Sequence, residues 1–124
     1  MRKRSASQSR AAPRAGDLRR LLEPRFFKAL GDRNRVALLA RLACCGRPCT
    51  VSELTACCPV DISVVSRHLG LLRDAGILDS EKRGKEVYYS VSFPELVNML
   101  RRMADVLEAC CAANNRQTEE PTHE

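Results

Sequence analysis

The sequence predicts a mainly α-helical domain with a small β hairpin, an α+β fold in a chain of 124 residues. Three observations lead to this prediction. Leucine, valine and alanine recur at three- and four-residue spacings between capping residues, which is typical of short amphipathic helices. Two short β-like runs, 77–82 and 86–91, flank Arg83-Gly84-Lys85, which is typical of a hairpin. The last apolar positions alternate spacings of four and three, which indicates a long terminal helix.

Two helices are predicted in the first part of the chain. The first contains apolar residues from Leu18 to Phe27 and is disturbed by Pro24. The second begins at Asp32, a residue type that caps helices, and ends at Gly46. The inward face of the second helix is predicted to comprise Val36, Leu38, Leu39 and Leu42.

A short helix, a brief turn and a longer helix follow. Thr50 and Glu53 have the spacing of a capping box, so the short helix is predicted to begin there. Asp61 caps the longer helix and Gly76 ends it. Its inward residues are predicted to be Val64 or Val65, Leu69, Leu72 and Ala75. Because the hairpin comes next, this order of elements predicts a winged helix-turn-helix.

The terminal helix carries an apolar seam formed by Leu96, Leu100, Met103, Leu107 and Cys110. Such a seam favours a homodimer, although packing within one chain remains an alternative. The domain is predicted to span residues 15–111. Residues 1–14 are mostly arginine, serine and alanine and are predicted to be a flexible basic arm. Residues 112–124 are predicted to be a disordered polar tail.

Charge and composition restrict the partners and the cell compartment. The net charge of +6 favours a polyanion such as nucleic acid. No apolar run approaches the roughly 18 residues that span a bilayer, and the basic N-terminus is not followed by the apolar stretch of an export signal. A cytoplasmic location without a membrane partner is therefore expected. Seven cysteines, six of them in adjacent pairs, do not resemble a secreted disulfide framework. Metal binding, redox chemistry and simple packing remain open for them.

The longer helix of the motif is predicted to read double-stranded DNA. Away from its leucine-rich face it carries Ser63, Ser66, Arg67, His68 and Arg73. Short hydroxyl side chains permit a close approach to bases and phosphates, and arginine supplies a charged fork. At the hairpin tip, Arg83 and Lys85 place positive charge where a wing meets the DNA. His68 lies at the edge of the face and is equally compatible with packing.

Three stretches together resemble a known family. They are VSEL at 51–54, SVVSRHLGLLRDAGIL at 63–78 and KRGKEVYYSV at 82–91. The chain from about Leu18 to Cys111 is similar to the arsenic-repressor (ArsR/SmtB) family of homodimeric winged-helix repressors. The resemblance implies a dimer formed by the first and last helices and operator binding that requires no cofactor. It also implies release of the DNA when an inducer binds.

The resemblance identifies candidate metal ligands among the cysteines. The family's metalloid box reads Glu-Leu-Cys-Val-Cys-Asp-Leu, whereas this chain has ELTACC at 53–58. Thr55 replaces the first cysteine of the box, and Cys57 matches the second. Cys57 and its neighbour Cys58 are therefore predicted metal ligands, and Cys110 and Cys111 form a second candidate pair.

A third group of thiols is the CCxxxC segment of Cys44, Cys45 and Cys49. These three could also form a three-coordinate site, although simple packing is the favoured interpretation. The expected inducer is arsenite or another thiophilic ion such as Cd, Pb or Hg, because soft ions prefer sulfur.

Several other functions are weighed against metal sensing. A thiol redox or reactive-sulfur sensor of the same fold would use Cys44 and Cys110, although Ala40 occupies the position expected for the first thiol. A zinc, nickel or cobalt sensor is disfavoured because the last helix lacks histidine. An architectural DNA-binding protein without an inducer remains an alternative. An enzyme is not expected, because no nucleophile, base and carboxylate combine in a known motif.

Overall fold

The computed structural model describes residues 15–56 and 58–118. Within these ranges the chain forms a mainly helical fold with a small antiparallel sheet, as predicted. In chain order the elements are α1 (Ala15–Leu21), α2 (Pro24–Leu30), α3 (Arg33–Cys45), β1 (Cys49–Thr50), α4 (Val51–Thr55), α5 (Ile62–Asp74), β2 (Leu78–Arg83), β3 (Glu86–Val91) and α6 (Phe93–Thr118). One compact unit comprises residues 23–98. The other contains α1 and the C-terminal part of α6.

The core of the 23–98 unit is mainly aliphatic and also includes the buried aromatic residues Phe26 and Tyr89. Each of two longer helices contributes one buried face. α3 buries Leu38 and Leu42, and α5 buries a row of residues at three- and four-residue spacings: Val65, Leu69 and Leu72. The prediction that Val36 faces inward was wrong, since 46% of this residue is exposed. It precedes Leu38 by two positions, which is about 200° around a helix, so it lies on the opposite side.

Local capping interactions set the beginnings of α3 and α4. The Asp32 carboxylate accepts hydrogen bonds from the backbone N–H groups of Asn34 (2.8 Å) and Arg35 (3.2 Å). These bonds, the one from Arg35 above all, lower the pKa of Asp32. The predicted capping box is also present, because Glu53 N donates to Thr50 Oγ1 and Thr50 N donates to the Glu53 carboxylate. Asp61 precedes α5 as predicted, but its side chain makes no capping hydrogen bond.

The sheet has the strand order β1-β3-β2. β2 and β3 form the predicted hairpin, in which Arg83 pairs with Glu86 and Gly84 adopts a positive φ of 63°. β1, in which Cys49 pairs with Tyr89 of β3, was not predicted from the sequence. A two-residue strand is too short to show an alternating pattern, and it forms only because β3 supplies its hydrogen-bonding partner.

The N-terminal region contains two helices where the sequence predicted one, and proline lies at the division. α1 ends at Leu21, and α2 begins at Pro24, where the missing N–H and fixed φ of proline are compatible with a first helical position. The predicted arm at 1–14 lies outside the described residues. α6 continues to Thr118, beyond the predicted domain boundary at residue 111, and residues 119–124 are outside the described part.

The apolar surface of α6 differs from the predicted seam. Met103 is buried, whereas Leu100 and Leu107 are 48% and 51% exposed. The exposed stripe of α6 consists of small and apolar residues at alternating spacings of four and three: Phe93, Val97, Leu100, Ala104, Leu107 and Cys111. The predicted seam therefore combined residues from two adjacent stripes. No helix in the described ranges has the length and apolar character needed to cross a membrane.

Candidate nucleic-acid interface and thiol sites

α5 presents a polar face on the side opposite its buried leucines. Ser63, Ser66 and Arg67 are all exposed, and their spacing of three and four residues places them side by side on a helix. Val65, Leu69 and Leu72, which share the other face, are fully buried. The hydrophobic core therefore fixes the rotation of α5 about its axis, and this rotation directs the serine and arginine side chains outward.

Contacts within the 23–98 unit hold α5 at both ends. α4 packs against α5, with Leu54 almost completely buried. At the other end, Arg25 Nη1 donates a hydrogen bond of 3.3 Å to the carbonyl oxygen of Asp74, the last residue of α5. A cation at this position also favours the negative end of the helix dipole. These contacts hold α5 in place while its polar face stays exposed.

His68 is held inside the protein framework. It is half-buried, and its Nδ1 lies 3.1 Å from Arg35 Nη1. The same guanidinium donates to the carbonyl oxygens of Ala29 (2.7 Å) and Lys28 (3.2 Å), so Arg35 connects α2, α3 and α5. Since arginine only donates, His68 Nδ1 is the acceptor of this bond. His68 on α5 is thereby linked to α2 and α3 through Arg35.

The remaining predicted DNA contacts are exposed. Arg73 forms an ion pair of 3.1 Å with Asp74 at the end of α5. On the wing, Arg83 pairs with Glu81 at 3.0 Å and lies 4.5 Å from the centre of the Tyr88 ring, while Lys85 is exposed at the tip. Exposed ion pairs contribute little to stability, about 0–1 kcal/mol, so these arginines are free to exchange their carboxylate for a phosphate.

Three of the four predicted metal ligands lie in the described residues. Cys57 lies outside the described residues, and Cys58, at the turn after α4, is half-buried. On α6, Cys110 is half-buried and Cys111 is exposed. The side-chain amide of Asn115 donates to Cys111 Sγ at 3.8 Å. Within the described ranges, no three His, Cys, Asp or Glu side chains converge in a manner that would hold a metal ion.

Two thiols do meet in the segment where packing was the favoured interpretation. Cys45 Sγ, at the end of α3, lies 3.1 Å from Cys49 Sγ in β1. Cys49 is buried, and this burial, together with the hydrogen bond to Cys45, raises the pKa of the Cys49 thiol to about 11. The turn signals Gly46 and Pro48 between these residues indicate a chain reversal, and they were the available evidence for this contact.

Comparison with known proteins agrees with this arrangement. A helix-turn-helix domain model matches residues 30–81. An arsenic resistance transcriptional regulator, ArsR1, from Pseudomonas putida is 38% identical over 100 residues, which are 77% of this chain and 77% of that protein. The chain belongs to the ArsR family. Members of this family are DNA-binding transcriptional regulators and not enzymes.

Two further relatives of this ArsR-family chain support the assignment. A transcriptional repressor SmtB homolog from Synechocystis sp. is 35% identical over 83 residues, 67% of this chain and 61% of that protein. The solved structure of an ArsR-like transcriptional regulator from Rhodococcus sp. RHA1 has a TM-score of 0.61 and 26% identity, over 86% of this chain and 96% of that one. The winged helix-turn-helix fold predicted from the sequence is therefore confirmed.

Removing the arginine of the exposed α5 face tests its predicted role. We expect Arg67→Ala to weaken binding to the specific DNA site by about 1–3 kcal/mol and to relax the preference at one base pair, as for an arginine that reads a base. Fluorescence anisotropy with specific and scrambled duplexes measures both effects. Arg41→Ala, which removes an exposed arginine from α3, is the matched control. Equal losses in the two variants would show that only total charge matters.

Proposed function

We propose that this ArsR-family chain is a homodimeric transcriptional repressor that binds operator DNA and is released by a thiophilic ion, with arsenite as the first candidate. The observation that carries the proposal is the exposed Ser63, Ser66 and Arg67 face of α5, whose direction is set by the buried leucines behind it. Serine and arginine at three- and four-residue spacing suit contacts to phosphates and base edges in the major groove. DNA binding itself requires no cofactor in this proposal.

Contacts to the DNA are divided between two elements. α5 supplies Ser63, Ser66 and Arg67, and Arg73 at its end adds positive charge. The wing supplies Arg83 and Lys85, which suit the DNA backbone or the minor groove because phosphate contacts are dominated by lysine and arginine. His68 supports α5 through Arg35 rather than contacting a base, since its Nδ1 is already occupied. This division accounts for every predicted DNA-binding residue.

A homodimer is supported by the exposed stripe of α6. Its large members, Phe93, Val97, Leu100 and Leu107, are each 41–51% exposed and recur at heptad-like spacing. A row of exposed apolar side chains favours packing against a second helix. A twofold dimer of winged helices would present two α5 helices to the two halves of an operator. A regulator of chromosomal DNA acts where that DNA lies, so we propose a cytoplasmic location.

The thiophilic inducer is supported by the chain's thiols and by its relatives. ArsR1 of Pseudomonas putida is an arsenic resistance regulator, and soft ions prefer the sulfur ligands that this chain has in unusual number. Cys57, Cys58, Cys110 and Cys111 remain the predicted ligands. Cys57 and Cys58 lie between α4 and α5, so movement of this segment would act directly on the DNA-reading helix. A coupling free energy of about 1–3 kcal/mol is typical of such regulation.

An anaerobic titration tests the proposed function. We expect micromolar arsenite to release the reduced protein from its own promoter DNA. A coupling free energy of about 1–3 kcal/mol would weaken DNA binding about 5- to 150-fold. Addition of a dithiol chelator is expected to restore the complex, because the chelator removes arsenite without oxidising the protein. Fluorescence anisotropy reports both steps. DNA binding that is insensitive to arsenite but is reversed by polysulfide would contradict the metalloid proposal in favour of a sulfur sensor.

A further inference from the structure

A pair of thiols outside the four predicted metal ligands lies in contact between α3 and β1. The Sγ atoms of Cys45 and Cys49 are 3.1 Å apart. The contact depends on a reversal of the chain at Gly46, whose φ of 78° is in the left-handed region that glycine adopts without a steric penalty. Since the two cysteines are four residues apart in one segment, the pair exists within a single chain.

We propose that Cys45 and Cys49, together with Cys44, form a binding site for a trivalent arsenical. This site is separate from the predicted pairs Cys57–Cys58 and Cys110–Cys111. Its regulatory meaning rests on the proposed function, but arsenical binding itself does not depend on that function.

The geometry of the pair suits a shared soft ligand. An ion about 2.3 Å from each of two sulfur atoms at a tetrahedral angle separates them by about 3.8 Å, so the observed pair needs to open by less than about 1 Å. Cys44 is exposed and lines the same shallow groove as Cys45, beside Ala40 and Arg41. Among the described residues, no third ligand converges on the pair. In the proposed site, Cys44 becomes the third ligand when its side chain rotates towards the pair.

The reaction with arsenous acid is an exchange of ligands without oxidation or reduction. Each thiol forms one As–S bond and breaks one As–O bond, and the thiol proton leaves with the hydroxide as water. Three exchanges convert As(OH)₃ and three thiols into As(SR)₃ and three water molecules. All reactants and products are uncharged, so no ion has to be placed in the partly buried segment.

The burial of Cys49 favours this uncharged chemistry over the binding of a divalent cation. Cys49 is almost completely buried. A cadmium or zinc ion would bring its charge into that buried position, which costs free energy because charged groups are poorly solvated there. Arsenous acid adds no charge, so the site is suited to a trivalent arsenical rather than to a divalent metal.

The site is connected to both parts of the predicted DNA interface. Cys49 pairs with Tyr89 in the wing strand β3. The next residue, Thr50, caps α4, and Arg47 from the same loop pairs with Glu53 of that cap at 3.3 Å. α4 in turn packs against α5. A displacement of Cys49 would therefore act on the wing through β1 and on the DNA-reading helix through α4.

Phenylarsine oxide and arsenite distinguish a two-thiol site from a three-thiol site. In a full-length variant with Cys57→Ser, Cys58→Ser, Cys110→Ser and Cys111→Ser, we expect one phenylarsine oxide and one arsenite per chain by native mass spectrometry under anaerobic reduction. Adding Cys45→Ser should abolish both. Adding Cys44→Ser should retain phenylarsine oxide, which needs two thiols, and weaken arsenite binding at least tenfold.

Two outcomes would overturn the site. One is a folded four-serine variant, checked by circular dichroism, that takes up no phenylarsine oxide. The other is uptake that Cys45→Ser leaves unchanged. Should the four-serine variant not fold, Cys45→Ser in the otherwise unchanged chain must lose one adduct relative to the parent. The operator titration separates the two proposals: uptake at this site without arsenite release of DNA by the parent chain overturns the proposed function and retains the site.

Discussion

Replacing Leu100 and Leu107 of α6 with glutamate is expected to convert the protein from a dimer to a monomer and to weaken operator binding about 100-fold or more. Both side chains are about half exposed in the single chain and lie one heptad apart, so two charges would be buried in the proposed interface. A monomer occupies one half-site at a time and loses the effective concentration that links the two halves, which typically contributes about 10²–10⁴ to avidity.

Light scattering coupled to size-exclusion chromatography measures the mass, and anisotropy on the promoter duplex measures the affinity. Val36→Glu is a suitable control, since Val36 is a similarly exposed apolar residue on α3. Circular dichroism establishes that the α6 variant remains folded. A variant that stays dimeric would place the interface elsewhere, and a parent chain that is already monomeric would contradict the homodimer itself.

Truncating Leu69 at the centre of α5 is expected to reduce the free energy of unfolding by about 2–5 kcal/mol, the range found for leucine-to-alanine changes in packed cores. Leu69 is fully buried, between Val65 and Leu72 on the inward face. The cavity would also loosen the constraint on the rotation of α5, so DNA affinity should fall although Leu69 contacts no DNA.

Urea denaturation at a fixed protein concentration measures the stability, because dimerisation makes the midpoint concentration-dependent. Leu71→Ala is the matched control: the same substitution, two residues away on the same helix, at a site that is 44% exposed. We expect this control to cost less than about 1 kcal/mol, as for surface substitutions. Equal losses in the two variants would mean that the inward face of α5 does not determine stability.

The exposed polar face of α5 was predictable from the sequence because its determinants are local. The spacing of Val65, Leu69 and Leu72 specifies a buried stripe, and this stripe places Ser63 and Arg67 on the outside whatever packs against it. The capping box at Thr50 is likewise a contact between residues three apart, so its presence in the sequence was sufficient to predict it.

Contacts between residues that are far apart in the sequence could not be predicted from such local patterns. His68 was assigned equally to DNA and to packing, and its partner Arg35 lies 33 positions earlier in the chain. β1 is a strand only because β3 lies beside it. Val36 was placed inward because α3 offers several apolar residues, and only the position of the neighbouring elements selects which of them are covered.

The sequence by itself determined the order from α3 to α6 apart from β1, the winged helix-turn-helix fold and the polar face of α5, because caps, turns and periodicity act over a few residues. Only the tertiary structure decided which thiols meet and which stripe of α6 is left exposed. The distance between Cys45 and Cys49 depends on the path of the loop and on the pairing of β1 with β3. The exposed stripe depends on which side of α6 is covered within the chain. Side-chain proximity across elements is a property of packing, and no local spacing encodes it.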